Sequence, residues 1–224
     1  MSREVIFDLR DASAGYDGRP VLVGIDLTIA RGERVAVMGR SGAGKSTLLN
    51  LLHAQHPKEI ALVPQAAALV KTLSVFHNVY MGRLDRFSTL HNLRTLISPA
   101  QREIDEISRM LAAVDLADKL LASAGALSGG QQQRTSVARA LYNGSPILLG
   151  DEPVSALDRV QGSEILKLIG QRHETLVIVM HDVALALKHA HRIVVLDRGR
   201  KVIDERSSLL TAKDLIGHFG GGAG

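Results

Sequence analysis

The chain has 224 residues, 46% of them hydrophobic, with no cysteine and a formal net charge of +4. That length and apolar content suit one domain around a single core, and the absence of thiols excludes a disulfide framework and thiolate metal sites and agrees with a reducing compartment. A mild basic excess suits a phosphate-ester ligand or an anionic membrane surface as well as nucleic acid, so charge alone selects no partner.

Met1 to Arg10 alternates charged and apolar residues, a pattern that predicts no export signal. Val5 to Leu9 and Ile25 to Ile29 alternate as half-buried strands do. Val35 to Met38 is a short apolar strand that runs into the glycine-rich turn Gly39 to Gly44, and Lys45 to Ala54 has helical composition up to Pro57. Ile60 to Val63 reads as a second apolar strand, ended by Pro64. A helical section is expected from about Val75 to Asn143; within it Ser98-Pro99-Ala100-Gln101 looks like an N-cap with proline at the first helical position, followed by Ile104, Ile107, Leu111 and Val114 at helical spacing. Apolar strands return at Ile147 to Leu149, Leu176 to Met180 and Ile193 to Leu196, with a helix-like segment from Arg159 to Ile169, which is α/β alternation. Arg198-Gly199-Arg200 suggests a last hairpin turn, and Gly220 to Gly224 a flexible tail. The longest apolar runs fall well short of the ~20 residues a membrane-spanning helix needs, so the chain is expected to be soluble by itself.

Three constellations carry chemistry. Gly39-Arg-Ser-Gly-Ala-Gly-Lys45-Ser46 fits the phosphate-binding P-loop pattern, with a strand before it and a helix after it as that pattern requires. Its glycines let backbone N–H groups close around phosphate oxygens, Lys45 reaches the β and γ phosphates, and the Ser46 hydroxyl is placed for Mg²⁺; Gly39, Ser41, Gly42, Gly44 and Thr47 complete the expected nucleotide contacts. Ile147-Leu148-Leu149-Gly150-Asp151-Glu152 is an apolar strand ending in two carboxylates, of which Asp151 suits a metal-holding role and Glu152 the orientation and deprotonation of an attacking water. An ordinary strand ending in a solvated acidic turn is the plainer reading, made less attractive by the P-loop. In Leu127-Ser128-Gly129-Gly130-Gln131, Ser128 can cap a helix beginning at Gly129, Gln131 stands where a capping box puts its partner, and the exposed N–H groups form a second anion-seeking helix end.

That pentapeptide is the signature of the ABC ATPase family, and with it the chain resembles that family along nearly its whole length. The resemblance implies a P-loop NTPase core of the ABC type, an α/β fold with a helical subdomain at about 75–143 and an antiparallel β subdomain, forming one domain over 1–219. It implies two domains packed head to tail, so that Ser128, Gly130 and Gln131 of one close over the nucleotide of the other. Further motifs follow in family order. Tyr16 is similar to the aromatic residue that stacks on adenine, the alternative being a core tyrosine. Gln65 is similar to the Q-loop glutamine that approaches Mg²⁺ and the attacking water, against a plain loop glutamine. Ser155-Ala156-Leu157-Asp158 resembles the D-loop at the dimer interface, where Asp158 also suits an N-cap. His181 resembles the switch histidine that contacts the γ-phosphate.

Only 17 residues separate Thr47 from Gln65, whereas members of the family usually insert a strand hairpin there, so the antiparallel subdomain is expected to be reduced. Gly150 also departs from the pattern, which has an apolar residue at that position. The resemblance implies an ATP- and Mg²⁺-dependent ATPase working as a homodimer or paired with a similar subunit, on separate transmembrane permease subunits, at the inner face of the cell membrane, with a substrate-binding protein in the full system and no nucleic acid. Asn78-Val79-Tyr80-Met81-Gly82-Arg83-Leu84, Ser88-Thr89-Leu90, Leu93-Arg94, Asp151 to Ser155 and Leu185-Ala186-Leu187 resemble the phosphonate-importer ATPases in particular. Non-transport ABC ATPases of translation or DNA repair are the rival, although those usually pair two domains in one chain or insert a long coiled coil. A P-loop kinase or GTPase would leave Leu127 to Gln131 unexplained.

Overall fold

The computed structural model describes residues 4–217; the expected tail at Gly220 to Gly224 lies outside them. Two long strands open the chain, β1 (Val5–Tyr16) and β2 (Arg19–Ala30), paired antiparallel as a two-stranded sheet. The two-residue loop between them, Asp17-Gly18, has φ of 50 and 72, the left-handed pair that matches the twist of a tight hairpin and favours Asp-Gly. Both strands outrun the segments whose alternation marks them, because β1 carries register shifts, one of them between Leu9 and Ala12 where Asp11 has φ 45, and a bulge interrupts the period of two.

The main sheet has six strands in the order β4-β5-β6-β3-β7-β8: β3 (Arg34–Gly39), β4 (Ile60–Val63), β5 (Ile147–Asp151), β6 (Thr175–Val179), β7 (Arg192–Asp197) and β8 (Arg200–Arg206). All neighbours are parallel except β7 and β8, which form the expected hairpin through Arg198 and Gly199. Successive residues serve opposite layers. Val35, Val37, Leu149, Val177 and Val194 pack with Phe7, Leu22, Ile25 and Leu27 of the hairpin and with Leu48, Leu49 and Leu52 of helix α1 (Lys45–Gln55). Ala36, Met38, Leu148, Ile178 and Val195 face the other helices. Strands buried on both faces are continuous apolar runs, which is why β3, β5, β6 and β7 are legible in the sequence; β4 is the edge strand and its Leu62 is exposed, yet its four residues are all apolar.

Those other helices are α2 (Val75–Tyr80), α3 (Thr89–Ile97), α4 (Gln101–Ala113), α5 (Gly129–Asn143), α6 (Arg159–Arg172), α7 (Val183–His189) and α8 (Ala212–Ile216). In α4, Ile107 and Leu111 are fully buried and Ile104 partly so, as their spacing predicts. Its start is a correction. Ser98 does not cap α4 but ends α3, donating its N–H to Arg94 O at 2.7 Å. Pro99 disfavours helical backbone at Ser98, and α4 begins only at Gln101, with Glu103 accepting from Ala100 N at 2.9 Å. Between α1 and β4 there is a short turn, closed by His56 N to His53 O and Glu59 N to His56 O, where the family pattern has a strand hairpin. The antiparallel sheet therefore has two strands among the described residues.

Candidate active site

Because β3, β4, β5 and β6 are parallel, their carboxyl ends share one edge of the sheet, the edge where open α/β sheets bind ligands. Off β3, Gly39 has φ 142, and a Cβ there would lie 2.2 Å from Leu196 O; only glycine fits. Gly44, with φ 101, precedes α1 without offering a side-chain cap. Leu48 N to Gly44 O begins the helix ladder, so the amides of Lys45, Ser46 and Thr47 are not used by it, and the first turn holds no acidic residue to compete for an anion. Lys45 is 7% exposed and folds back over the loop, donating to Gly39 O at 2.8 Å and Arg40 O at 2.9 Å. Burial pulls its pKa below the usual lysine value, against the attraction of the Glu152 and Asp151 carboxylates. Ser41 and Ser46 are exposed.

Off β5, Asp151 is nearly buried and Glu152 follows in left-handed backbone, φ 54. Glu152 N reaches Val179 O at 3.3 Å, and its Oε1 meets His181 Nε2, just beyond β6, at 2.6 Å. At the preceding Gly150 a Cβ would stand 3.2 Å from the Pro153 ring, a tight contact in this chain. Off β4, Gln65 is exposed in a bend beyond Val63, whose register partner is Gly150. It makes no hydrogen bond among the described residues. Tyr16 is 58% exposed, which overturns its reading as a core residue; the neighbouring Thr47 and Asn50 side chains of α1 hold its phenol below the usual pKa.

The pentapeptide forms the capped helix end that its spacing predicts. Ser128 Oγ accepts from Gln131 N at 3.3 Å, and Gln131 Oε1 accepts from Ser128 N at 3.0 Å. Asp158 caps α6 by accepting from Val160 N and Gln161 N at 2.8 and 3.0 Å. Lys45, Asp151, Glu152 and His181 thus converge, whereas Ser128, Gly130 and Gln131 stand at the amino end of α5, and none of the hydrogen bonds described there reaches the P-loop.

Two residues of this neighbourhood were missed by sequence reasoning. Gln133, 5% exposed on α5, donates through Nε2 to Glu152 O and accepts at Oε1 from Ala156 N at 3.1 Å. Arg139, also on α5, donates to Ala67 O at 3.1 Å and Ala68 O at 3.0 Å in the segment after Gln65, and burial lowers its pKa. In a run of three glutamines, helical phase relative to the core singles out Gln133, and that phase was the one available signal.

A family model described as ABC transporter matches residues 22–155. The Phosphonates import ATP-binding protein PhnC 1 of Pseudomonas syringae pv. syringae is 41% identical over 86% of this chain and 83% of its own length. The Macrolide export ATP-binding/permease protein MacB 1 of Aeromonas hydrophila is 40% identical over 83% of this chain but only 32% of its own length. Among solved structures, a dimeric ABC cassette in a post-hydrolysis state bound to ADP and Pi superposes with a TM-score of 0.78 at 27% identity, covering 89% of this chain and 98% of that one. P-loop, paired carboxylates and capped pentapeptide thus sit in a fold and a sequence family that agree, and the chain belongs to the ABC transporter family as an ATP-binding, ATP-hydrolysing domain.

Proposed function

We propose that this domain drives an importer for phosphonate or a related oxyanion, working as a head-to-tail pair on separate permease subunits supplied by a substrate-binding protein. The observation that carries the ATPase chemistry is the convergence of Lys45, Asp151, Glu152 and His181 at one strand edge, with Glu152 and His181 2.6 Å apart. Dimeric cassettes among the structural relatives support the pairing. For import, the support is that phosphonate-import relatives match over most of both chains, whereas the exporter relative is matched over a minor part of its length.

The residues present fit Mg²⁺. The Ser46 hydroxyl, the Asp151 carboxylate and the Gln65 amide are hard oxygen donors, and no cluster of three or more His, Asp or Glu forms a cage among the described residues; Mg²⁺ sites of this kind take few protein ligands and complete themselves with phosphate and water. When bound, the ion neutralises charge on the β and γ phosphates. Gly39, Ser41, Gly42, Gly44 and Thr47 cradle the phosphates, Lys45 donates to them, and Tyr16 packs on the adenine. Ser128, Gly130 and Gln131 of the opposing copy close the site, with Asp158 near the seam. Glu152 orients a water and takes its proton as the new bond to γ-phosphorus forms and the bond to the β–γ bridging oxygen breaks. Gln65 positions that water, and His181 donates to the transferring group.

Hydrolysis and MgATP-induced dimerisation measured together on the native chain and Glu152→Gln test this. The native protein should turn over, and the variant should bind ATP and accumulate as a dimer. Normal hydrolysis by a monomeric variant would sink the reading. For cargo, phosphonate-loaded binding protein should stimulate the ATPase of the assembled transporter, and stimulation by other cargo alone would remove phosphonate.

A further inference from the structure

Glu152 carries a Cβ in left-handed backbone, φ 54, a conformation that persists only where its surroundings hold it. Its N–H is held by Val179 O of β6 at 3.3 Å. Its carbonyl accepts from Ser155 N at 3.2 Å, from Ser155 Oγ at 3.1 Å and from Gln133 Nε2. The Gln133 amide is engaged at both ends, because Oε1 accepts from Ala156 N at 3.1 Å while Nε2 also lies 3.4 Å from Ser155 Oγ. Gln133 therefore clamps the residue bearing the carboxylate and the following loop together, from a helix whose cap is Ser128, five residues earlier.

We infer that Gln133 is a positioning residue: it sets the aim of the Glu152 carboxylate from helix α5, so that seating the Ser128 end of that helix on a partner's nucleotide also aligns the base in its own subunit. An α-helix transmits displacement of its end as a rigid rod over these five residues, and a buried side chain bonded at both ends leaves the Glu152 carbonyl little independent motion. The inference rests on the role proposed for Glu152.

The test uses the full chain with Gln133→Ala and Gln133→Glu. Gln133→Ala should lower kcat on the order of 10- to 100-fold, the scale of a misaligned catalytic group, with ATP affinity little changed and Tm lowered by a few degrees for the buried hydrogen bonds lost. In a Glu152→Gln background it should add no further loss. Gln133→Glu is nearly isosteric and keeps a folded protein if alanine does not. Ionised, it keeps the acceptor for Ala156 N and loses the donor; protonated, it regains the donor, so its kcat relative to native should rise as pH falls. A flat ratio across pH, an unchanged kcat in Gln133→Ala, or a parallel loss of kcat, affinity and Tm would overturn the positioning role. Native-like hydrolysis by Glu152→Gln alone identifies the failure as that of the Glu152 assignment, which takes this inference with it.

Discussion

Ser128 has two duties to separate, a helix cap visible within one chain and a phosphate contact proposed across a dimer. Ser128→Ala removes the bond to Gln131 N, 3.3 Å long; losing such a cap costs about 1 kcal/mol, which lowers Tm by ~2–4 °C in a chain of this size. A loss of that size leaves nearly all molecules folded, so it lowers activity negligibly. A hydroxyl bonded to a phosphate oxygen contributes about 1.5–3 kcal/mol, so its removal should slow hydrolysis by about 10- to 150-fold. Ser128→Asp separates the two effects. Aspartate caps as well as serine and suits the positive helix end, so Tm should hold or rise, but its carboxylate would oppose the γ-phosphate at a cost of several kcal/mol, about 4 at 4 Å and an effective dielectric of 20. The assays are thermal unfolding, phosphate release, and size-exclusion with MgATP in a Glu152→Gln background, where the aspartate variant should fail to dimerise. Native turnover by Ser128→Asp, or less than about a twofold loss in Ser128→Ala, would reduce Ser128 to a cap and refute the composite site.

Lys45→Ala removes an ammonium placed to make two charge-assisted bonds, each worth about 1.5–3 kcal/mol; titration with MgATP should show affinity weakened by about 10²- to 10⁴-fold while Tm moves by a few degrees at most. Gly150→Val drives a side chain into the Pro153 ring, 3.2 Å from where its Cβ must stand, and such overpacking should cost about 1–3 kcal/mol, read as a fall in Tm together with slower hydrolysis from a displaced Asp151-Glu152 turn. Burial holds the His173 imidazole below the ordinary value of 6.5, with a bond to Ser145 O at 2.6 Å opposing. The unfolded chain therefore takes up the proton first, so stability is complete above pH 6.5 and is lost as pH falls below it toward the folded-state pKa. His173→Gln should flatten that slope in Tm measured from about pH 7.5 to about 5.5.

What the sequence determined by itself is what neighbours three or four residues apart decide. The left-handed turns at Gly42 and Gly44, the reciprocal cap of Ser128 and Gln131, and the Asp158 cap are all local, and each depends on a glycine or a short polar side chain at a fixed offset. The apolar runs of β3, β5, β6 and β7 were equally plain, since burial on both faces favours unbroken apolar residues, and the edge strand β4 is as apolar although its Leu62 is exposed. Local signals also misled at Ser98-Pro99, where two adjoining helices compete for one serine and the bond to Arg94 O wins. Only the tertiary structure decided which strands adjoin. The pairing of β5 with β6 brings Glu152 to His181, 29 positions away, and no periodicity encodes strand order. It also decided which face of α5 is buried, and so made Gln133 and Arg139 internal ties to the Glu152 turn and to the segment after Gln65. Spacing along the chain fixes what a residue can do for its own turn, whereas burial and long-range pairing depend on every other element being in place.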